Sequence, residues 1–264
     1  MEAAADRVDQ RSNDFVQSLE RGLAVIRSFG AKRPSMTLSE VARETGLSRA
    51  AARRFLHTLV ELGYLRTDGR EFKLRPAVLE LGYAYLSSLT LPEIAQPHLE
   101  ALSEAVGESS SVAVLEDTEI VYVARVATHR IMNATIRVGT TFPAFSTSMG
   151  RAILAHAPAD VVDDCLSRTP ILARTSRTIT DPAALRSELD LVRQQGWALV
   201  DQELEDGLRS LAAPLRDASG LVVAAVNVSA PVRRGDVPEL LRHALPLLLD
   251  TSRTIEADLA RIHL

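Results

Sequence analysis

Apolar residues recur at helical spacing through the first quarter of the chain and switch to strand-like runs in its middle. Leu19, Leu23, Ile26 and Phe29 follow at intervals of four, three and three, which predicts an amphipathic helix closed by Gly30. Beyond Pro34, the residues Leu38, Val41, Ala42 and Thr45 form a second, shorter face, with Thr37 or Ser39 placed to cap it. Gly46 then breaks the pattern where a tight turn needs a positive φ. Ser48 is placed to cap a third helix that runs to about Leu62 and buries Phe55, Leu56, Leu59 and Val60. Two helices joined by a short turn containing glycine make a helix-turn-helix, and the small Ala42 suits the point where they touch. After Gly63, the runs Tyr64–Arg66 and Glu71–Leu74 flank Asp68-Gly69, a strong hairpin signal, so a β-wing follows directly.

Pro76 ends the wing, and Val78, Leu81, Tyr85 and Leu89 resume helical spacing as a linker helix. A further helix runs from Leu91 to Gly107, followed by strands over Ser111–Leu115 and Ile120–Val126 and a third over the run NATIRVG at 133–139. Helices near Arg151–Ala157, Asp160–Arg168 and Pro182–Gly196 precede three more strands and a closing helix over about Pro238–Ile262. Strands, helices and strands again predict an α+β fold with a mostly antiparallel sheet flanked by helices. The expected organisation is a loose arm at 1–14, a winged helix-turn-helix domain at 15–76, the linker helix at 77–90 and an effector-binding and oligomerisation domain at 91–264.

A chain of 264 residues can hold two such domains, and its hydrophobic content of 46% with 24% charged residues is that of a globular protein. No apolar run reaches the roughly 18 residues of a membrane span, the first residues lack a signal-peptide core, and Cys165 is the only cysteine. A cytoplasmic protein with no membrane partner is expected. The net charge of −4 argues against a nucleic-acid partner until its distribution is considered. Between Ser28 and Arg75 ten basic side chains face five acidic ones, a surplus of five that leaves the rest of the chain at minus nine. Ser48, Arg49, Ala50, Arg53, Arg54 and His57 lie on the part of the second helix-turn-helix helix that enters a major groove, with the small Ala50, Ala51 and Ala52 leaving room between the arginines. Arg66, Arg70 and Lys73 on the wing are placed for the phosphate backbone or minor groove. The implied partner is double-stranded operator DNA. Its paired half-sites imply a homodimer, with contacts expected along Leu19–Phe29 and the linker.

The stretch FSTSMGRAIL at 145–154 gathers Ser146, Thr147 and Ser148 at the start of a helix. Such hydroxyls can be a nucleophile, an anion cradle or a helix cap. A nucleophile needs a base and an orienting acid, and none of the six histidines sits in a catalytic context. There is no G-x-S-x-G elbow, His-x-x-x-His pair, Cys-x-x-Cys or glycine-rich phosphate loop, so neither catalysis, metal nor cofactor is expected. One hydroxyl caps the helix, but one cap does not need three. A helix start attracts anions, and Arg125, Arg130 and Arg137 arrive from neighbouring segments with the guanidinium geometry that suits a carboxylate. On the later strands Asp201 is one of several polar residues between apolar ones, while Ser210 and Asn227 interrupt otherwise apolar runs and need partners if buried. Two rivals stay open beside an acid sensor: a second domain that only oligomerises, and, with less support, a serine hydrolase.

Three blocks, LSEVARETGLSRAAARRFLHTLVELGYL, PAFSTSMGRAILA and DQELEDGLRSLAAPLRDASGLVVAAVNVS, resemble the IclR family of bacterial regulators, in the expected order and over nearly the whole chain from Phe15. THRIMNATIRVGTTFPAFSTSMGR and LVDQELEDGLRSLAAPLRD are most similar to the subgroup that controls aromatic-acid catabolism through protocatechuate and β-ketoadipate. The resemblance implies a transcriptional regulator and not an enzyme, a GAF-like effector domain, and dimers able to pair into tetramers. It also implies a small carboxylate effector such as β-ketoadipate, protocatechuate or 4-hydroxybenzoate. The effector loop would be Ser146, Thr147, Ser148, Met149 and Gly150, faced by Ser210 and Asn227. Many members carry cysteine where this chain has Ser210.

Overall fold

The computed structural model describes residues 15–30, 33–81, 90–128 and 136–262. The chain divides into two units, Met1–Ser87 and Ser88–Leu264. In the first, α1 (Gln17–Arg27), α2 (Leu38–Thr45) and α3 (Arg49–Glu61) accompany β1 (Met36–Thr37), β2 (Leu65–Thr67) and β3 (Glu71–Leu74), an antiparallel sheet of order β1-β3-β2. Val25, Val41, Leu56, Leu65 and Phe72 form its core. Of the two capping candidates for α2 it is Thr37 that serves. Its Oγ1 accepts the Glu40 N–H, and the Glu40 carboxylate accepts the Thr37 N–H at 2.7 Å, a reciprocal capping box. Those bonds hold the Glu40 carboxyl below the usual carboxylate range. Gly46 ends α2 with φ 66°, a left-handed turn that a Cβ would strain, and Ser48 Oγ accepts the Ala51 N–H at 3.2 Å to start α3. The chain past the wing makes a single 3₁₀ turn at Pro76–Leu79 and is helical at Glu80 and Leu81; most of the expected linker helix lies outside the described residues.

The second unit is built on a six-stranded antiparallel sheet of order β6-β5-β4-β9-β8-β7. Its strands are β4 (Ser109–Glu116), β5 (Glu119–Val126), β6 (Thr141–Pro143), β7 (Ala198–Asp201), β8 (Leu208–Arg216) and β9 (Val222–Pro231). Two long helices, α4 (Thr90–Val106) and α8 (Val237–Ile262), cover one face through Leu99, Leu102, Leu248 and Ile255. On the other face lie α5 (Ser148–Leu154), α6 (Ala159–Arg168) and α7 (Pro182–Gln195). Strict alternation along β8 sends Leu211, Ala213 and Leu215 to the first face and Ala212 to the second. The α+β reading with an antiparallel sheet therefore holds. Of the third strand predicted over 133–139, residues 133–135 lie outside the described residues, and the rest is not strand. Ile136 and Arg137 are irregular, Val138 and Gly139 form a turn, and the strand is Thr141–Pro143. Gly139 takes φ 85° and its N–H donates to the Tyr122 carbonyl, so the chain turns where alternation alone read it as extended. Among the described residues no helix is long and apolar enough to cross a membrane, and no group of three or more His, Cys, Asp or Glu could hold a metal ion.

Candidate functional site

On α3, Ser48, Arg49, Ala50, Arg53, Arg54 and His57 are all exposed, as the spacing of the buried Ala52, Leu56 and Leu59 requires. Arg49, Arg53 and Arg54 make no ion pair among the described residues, so their full charge faces solvent. Ala52 corrects one expectation. It sits in the core and not between the arginines, and only Ala50 of the three alanines is exposed. On the wing Arg66 and Arg70 are exposed, while Lys73 is partly covered and lies 4.0 Å from Glu71. The His57 ring meets Phe72 edge-on at 6.1 Å, joining α3 to the wing.

A cavity on the α5 side of the sheet is lined by Arg125, Ser146, Thr147, Ser148, Met149, Ser210 and Asn227, with Tyr122 and Ser229 beside them. Ile136, Val200, Leu204 and Leu208 complete its apolar wall. Its free volume is about 20 Å³, room for roughly one water. The hydroxyls divide their tasks. Thr147 caps α5, its Oγ1 accepting the Gly150 N–H at 3.1 Å. Ser148 Oγ lies 2.7 Å from Ser210 Oγ, and Ser146 makes only a long 3.4 Å bond to the Pro143 carbonyl. Gly150 is needed for closeness: a Cβ there would overlap the backbone of Ala144. It supports the loop and does not line the cavity.

Arg125 reaches the cavity because β5 bulges. Its partners in β4 run Ser111↔Arg125 and Val112↔Ala124, then Ala113↔Tyr122, so Val123 is the extra residue. Tyr122 and Arg125, three apart in sequence, thus share one face. Arg125 Nη1 donates to Ser111 Oγ at 2.9 Å, its Nε is buried without a hydrogen-bond partner, and no acid pairs with it among the described residues. Burial lowers the affinity of its guanidinium for the proton, and burial pushes the Tyr122 hydroxyl up to about 12. At the start of α5, Arg151 is 1% exposed and donates from both Nη atoms to Glu203, at 2.7 and 2.6 Å, and from Nε to the Phe145 carbonyl at 2.8 Å. Glu203 Oε2 also accepts the Ile179 N–H at 3.0 Å. This bidentate pair ties the hydroxyl loop to the segment that carries Leu204.

Two expected ligands lie off the cavity. Arg137 is exposed in the turn, where its backbone N–H donates to Thr140 Oγ1. Asp201 accepts from Arg209 Nε at 2.8 Å and pairs with Arg177, a structural ion-pair group at the end of β7. Arg130 lies outside the described residues. Among the described residues no histidine supplies a base to the serines: His156, the nearest in sequence, donates from Nδ1 to the Ala152 carbonyl at 3.0 Å. Tyr122, the pairing of Arg151 with Glu203 and the apolar wall were not legible as site features, while Ser229 and Glu203 were among the interleaved polar residues of the later strands that the sequence ranked below Ser210 and Asn227.

Two family models span the chain. The IclR helix-turn-helix domain matches residues 18–69, and the bacterial transcriptional regulator IclR C-terminal domain matches 83–257. The Pca regulon regulatory protein of Pseudomonas putida is 47% identical, over 92% of this chain and 84% of its own length. A crystal structure of a Rhodococcus sp. RHA1 protein described as a transcriptional regulator is 55% identical with TM-score 0.85, over 94% of this chain and all of that one. An IclR homologue of Microbacterium hydrocarbonoxydans, solved with 4-hydroxybenzoate, is 28% identical with TM-score 0.80, over 92% and 98% of the two chains. With both of its domains matched, this chain belongs to the IclR family of DNA-binding transcriptional regulators and is not an enzyme.

Proposed function

We propose that the chain controls catabolic genes by sensing a small organic acid in the cavity beside α5. The observation that carries this reading is Arg125: a half-buried guanidinium without an acid partner among the described residues, facing a hydroxyl-lined cavity. A carboxylate supplies the missing counter-charge. The relatives' names, a Pca regulon regulator and a homologue bound to 4-hydroxybenzoate, support an aromatic-acid pathway. α3 and the wing bind double-stranded operator DNA, and the protein acts as a homodimer, able to pair into a tetramer. The exposed apolar side chains Phe15, Val16, Leu19 and Leu23 support pairing through α1. The acid shifts the paired winged modules between arrangements only by as much as it prefers one of them.

Calorimetric titration of the full chain with aromatic and dicarboxylic acids tests the reading. Binding should fall about 10- to 100-fold in Arg125→Met, the loss expected for a hydrogen-bonded charge partner. No heat at millimolar acid, with operator binding intact, leaves the second unit as an oligomerisation platform and sinks the sensor.

A further inference from the structure

We propose that the cavity selects acids that also carry a hydroxyl donor, and that the side-chain oxygen of Asn227 makes the selection. This inference rests on the sensor reading above and narrows it. Asn227 is 3% exposed, and its Nδ2 donates to Ser210 Oγ and Ser229 Oγ, both at 3.0 Å. Its Oδ1 is buried at the cavity and has no hydrogen-bond partner among the described residues.

The structure orients the amide with Nδ2 toward Ser210 and Ser229. A serine hydroxyl has one hydrogen to give. That of Ser210, which lies 2.7 Å from Ser148 Oγ and 3.2 Å from Ser229 Oγ, is directed to the Val228 carbonyl at 3.2 Å. Ser210 must then accept from Ser148, 2.7 Å away, and from the amide of Asn227. Nitrogen faces the serines, and oxygen is left for whatever enters the cavity.

Arg125 and Asn227 stand on β5 and β9 with β4 between them, since Ser111 pairs with both. Two strand spacings put their Cα atoms about 10 Å apart. The cavity therefore offers a cation from one side and a lone acceptor from the other. A carboxylate answers the first and a hydroxyl hydrogen the second. A keto diacid or a plain dicarboxylate brings acceptors only, and sets one of them against Oδ1 in a water-poor enclosure. Sites that hydrogen-bond a ligand hydroxyl reject analogues lacking it far more strongly than apolar pockets reject a missing methylene.

The test uses the full chain and calorimetry with three probes: 4-hydroxybenzoate, 4-fluorobenzoate, which keeps ring and acid but has no donor, and adipate. Wild-type protein should bind the hydroxy acid about 10- to 100-fold more tightly than either of the others. In Asn227→Leu the hydroxy-to-fluoro ratio should shrink to about two-fold or less, because the lone acceptor is gone. Equal binding of the hydroxy and fluoro acids, tighter binding of adipate, or a preference that survives in Asn227→Leu overturns the hydroxyl selection and leaves the acid sensor standing. No binding of any of the three overturns both. The wild-type comparison needs no substitution, so the selection is tested whether or not the variant folds.

Discussion

Arginine serves this molecule in two opposite settings. On α3, Arg49, Arg53 and Arg54 are exposed and make no ion pair among the described residues, solvated and screened by salt. Around the cavity, Arg151 is buried and held by a bidentate carboxylate, while Arg125 is half buried with its Nε unmatched. The exposed set contributes by number, since each side chain that reaches a phosphate releases counterions independently of sequence. The buried set contributes by pairing, since an enclosed charge or dipole is costly until it is answered. On the proposed reading, α3 holds DNA with a strength that salt can tune, and the cavity selects its acid by contacts that salt barely touches.

Breaking the buried side should have the largest effect. Arg151→Met leaves Glu203 buried without its cation and should cost about 3–5 kcal/mol in chemical denaturation. A loss below about 1 kcal/mol would mean the pair is dispensable and the contrast overstated. The exposed side should respond differently to the same kind of change. Arg53→Ala with Arg54→Ala should leave the denaturation midpoint unchanged. It should also reduce the slope of log operator affinity against log salt by about one for each phosphate left without its arginine. An unchanged slope would move those residues off the DNA. The smallest effect tests whether the winged unit relies on local devices where the cavity relies on long-range ones. Thr37→Ala removes half of the capping box and should cost about 1 kcal/mol, read by circular dichroism during unfolding.

The first unit was legible because its devices are local. The caps at Thr37 and Ser48, the left-handed Gly46 and the Asp68-Gly69 turn are each complete within a few residues. Even there, Ala52 shows the limit: composition suggested a clearing between arginines, while the helical period put it in the core. The cavity was half legible. Ser146–Met149, Ser210 and Asn227 stand out as polar or cap-forming residues in apolar runs, and they do meet. Arg125 shares a face with Tyr122 only through the bulge at Val123, which no period-two reading contains. Arg137 was assigned to a strand but lies in irregular backbone entering a turn, and Asp201 belongs to a neighbouring ion-pair group. The partnership of Arg151 with Glu203 spans 52 positions and leaves no trace in local pattern.

On the proposed reading, the narrowness of the cavity bears on how much acid a cell must hold before the regulator responds. A void of about 20 Å³ does not admit a six-membered ring as it stands, and of its apolar wall Leu204 and Ile136 lie on irregular segments. If only such an opened form binds the proposed acid, the apparent affinity is the intrinsic one scaled by the fraction of molecules open. Contacts that keep those walls shut would then set the alarm threshold, including the Arg151–Glu203 clasp beside Leu204, which no ligand atom need touch. Relatives could be tuned to richer or poorer supplies of the same compound by adjusting the hinge side of the door and leaving the lock alone.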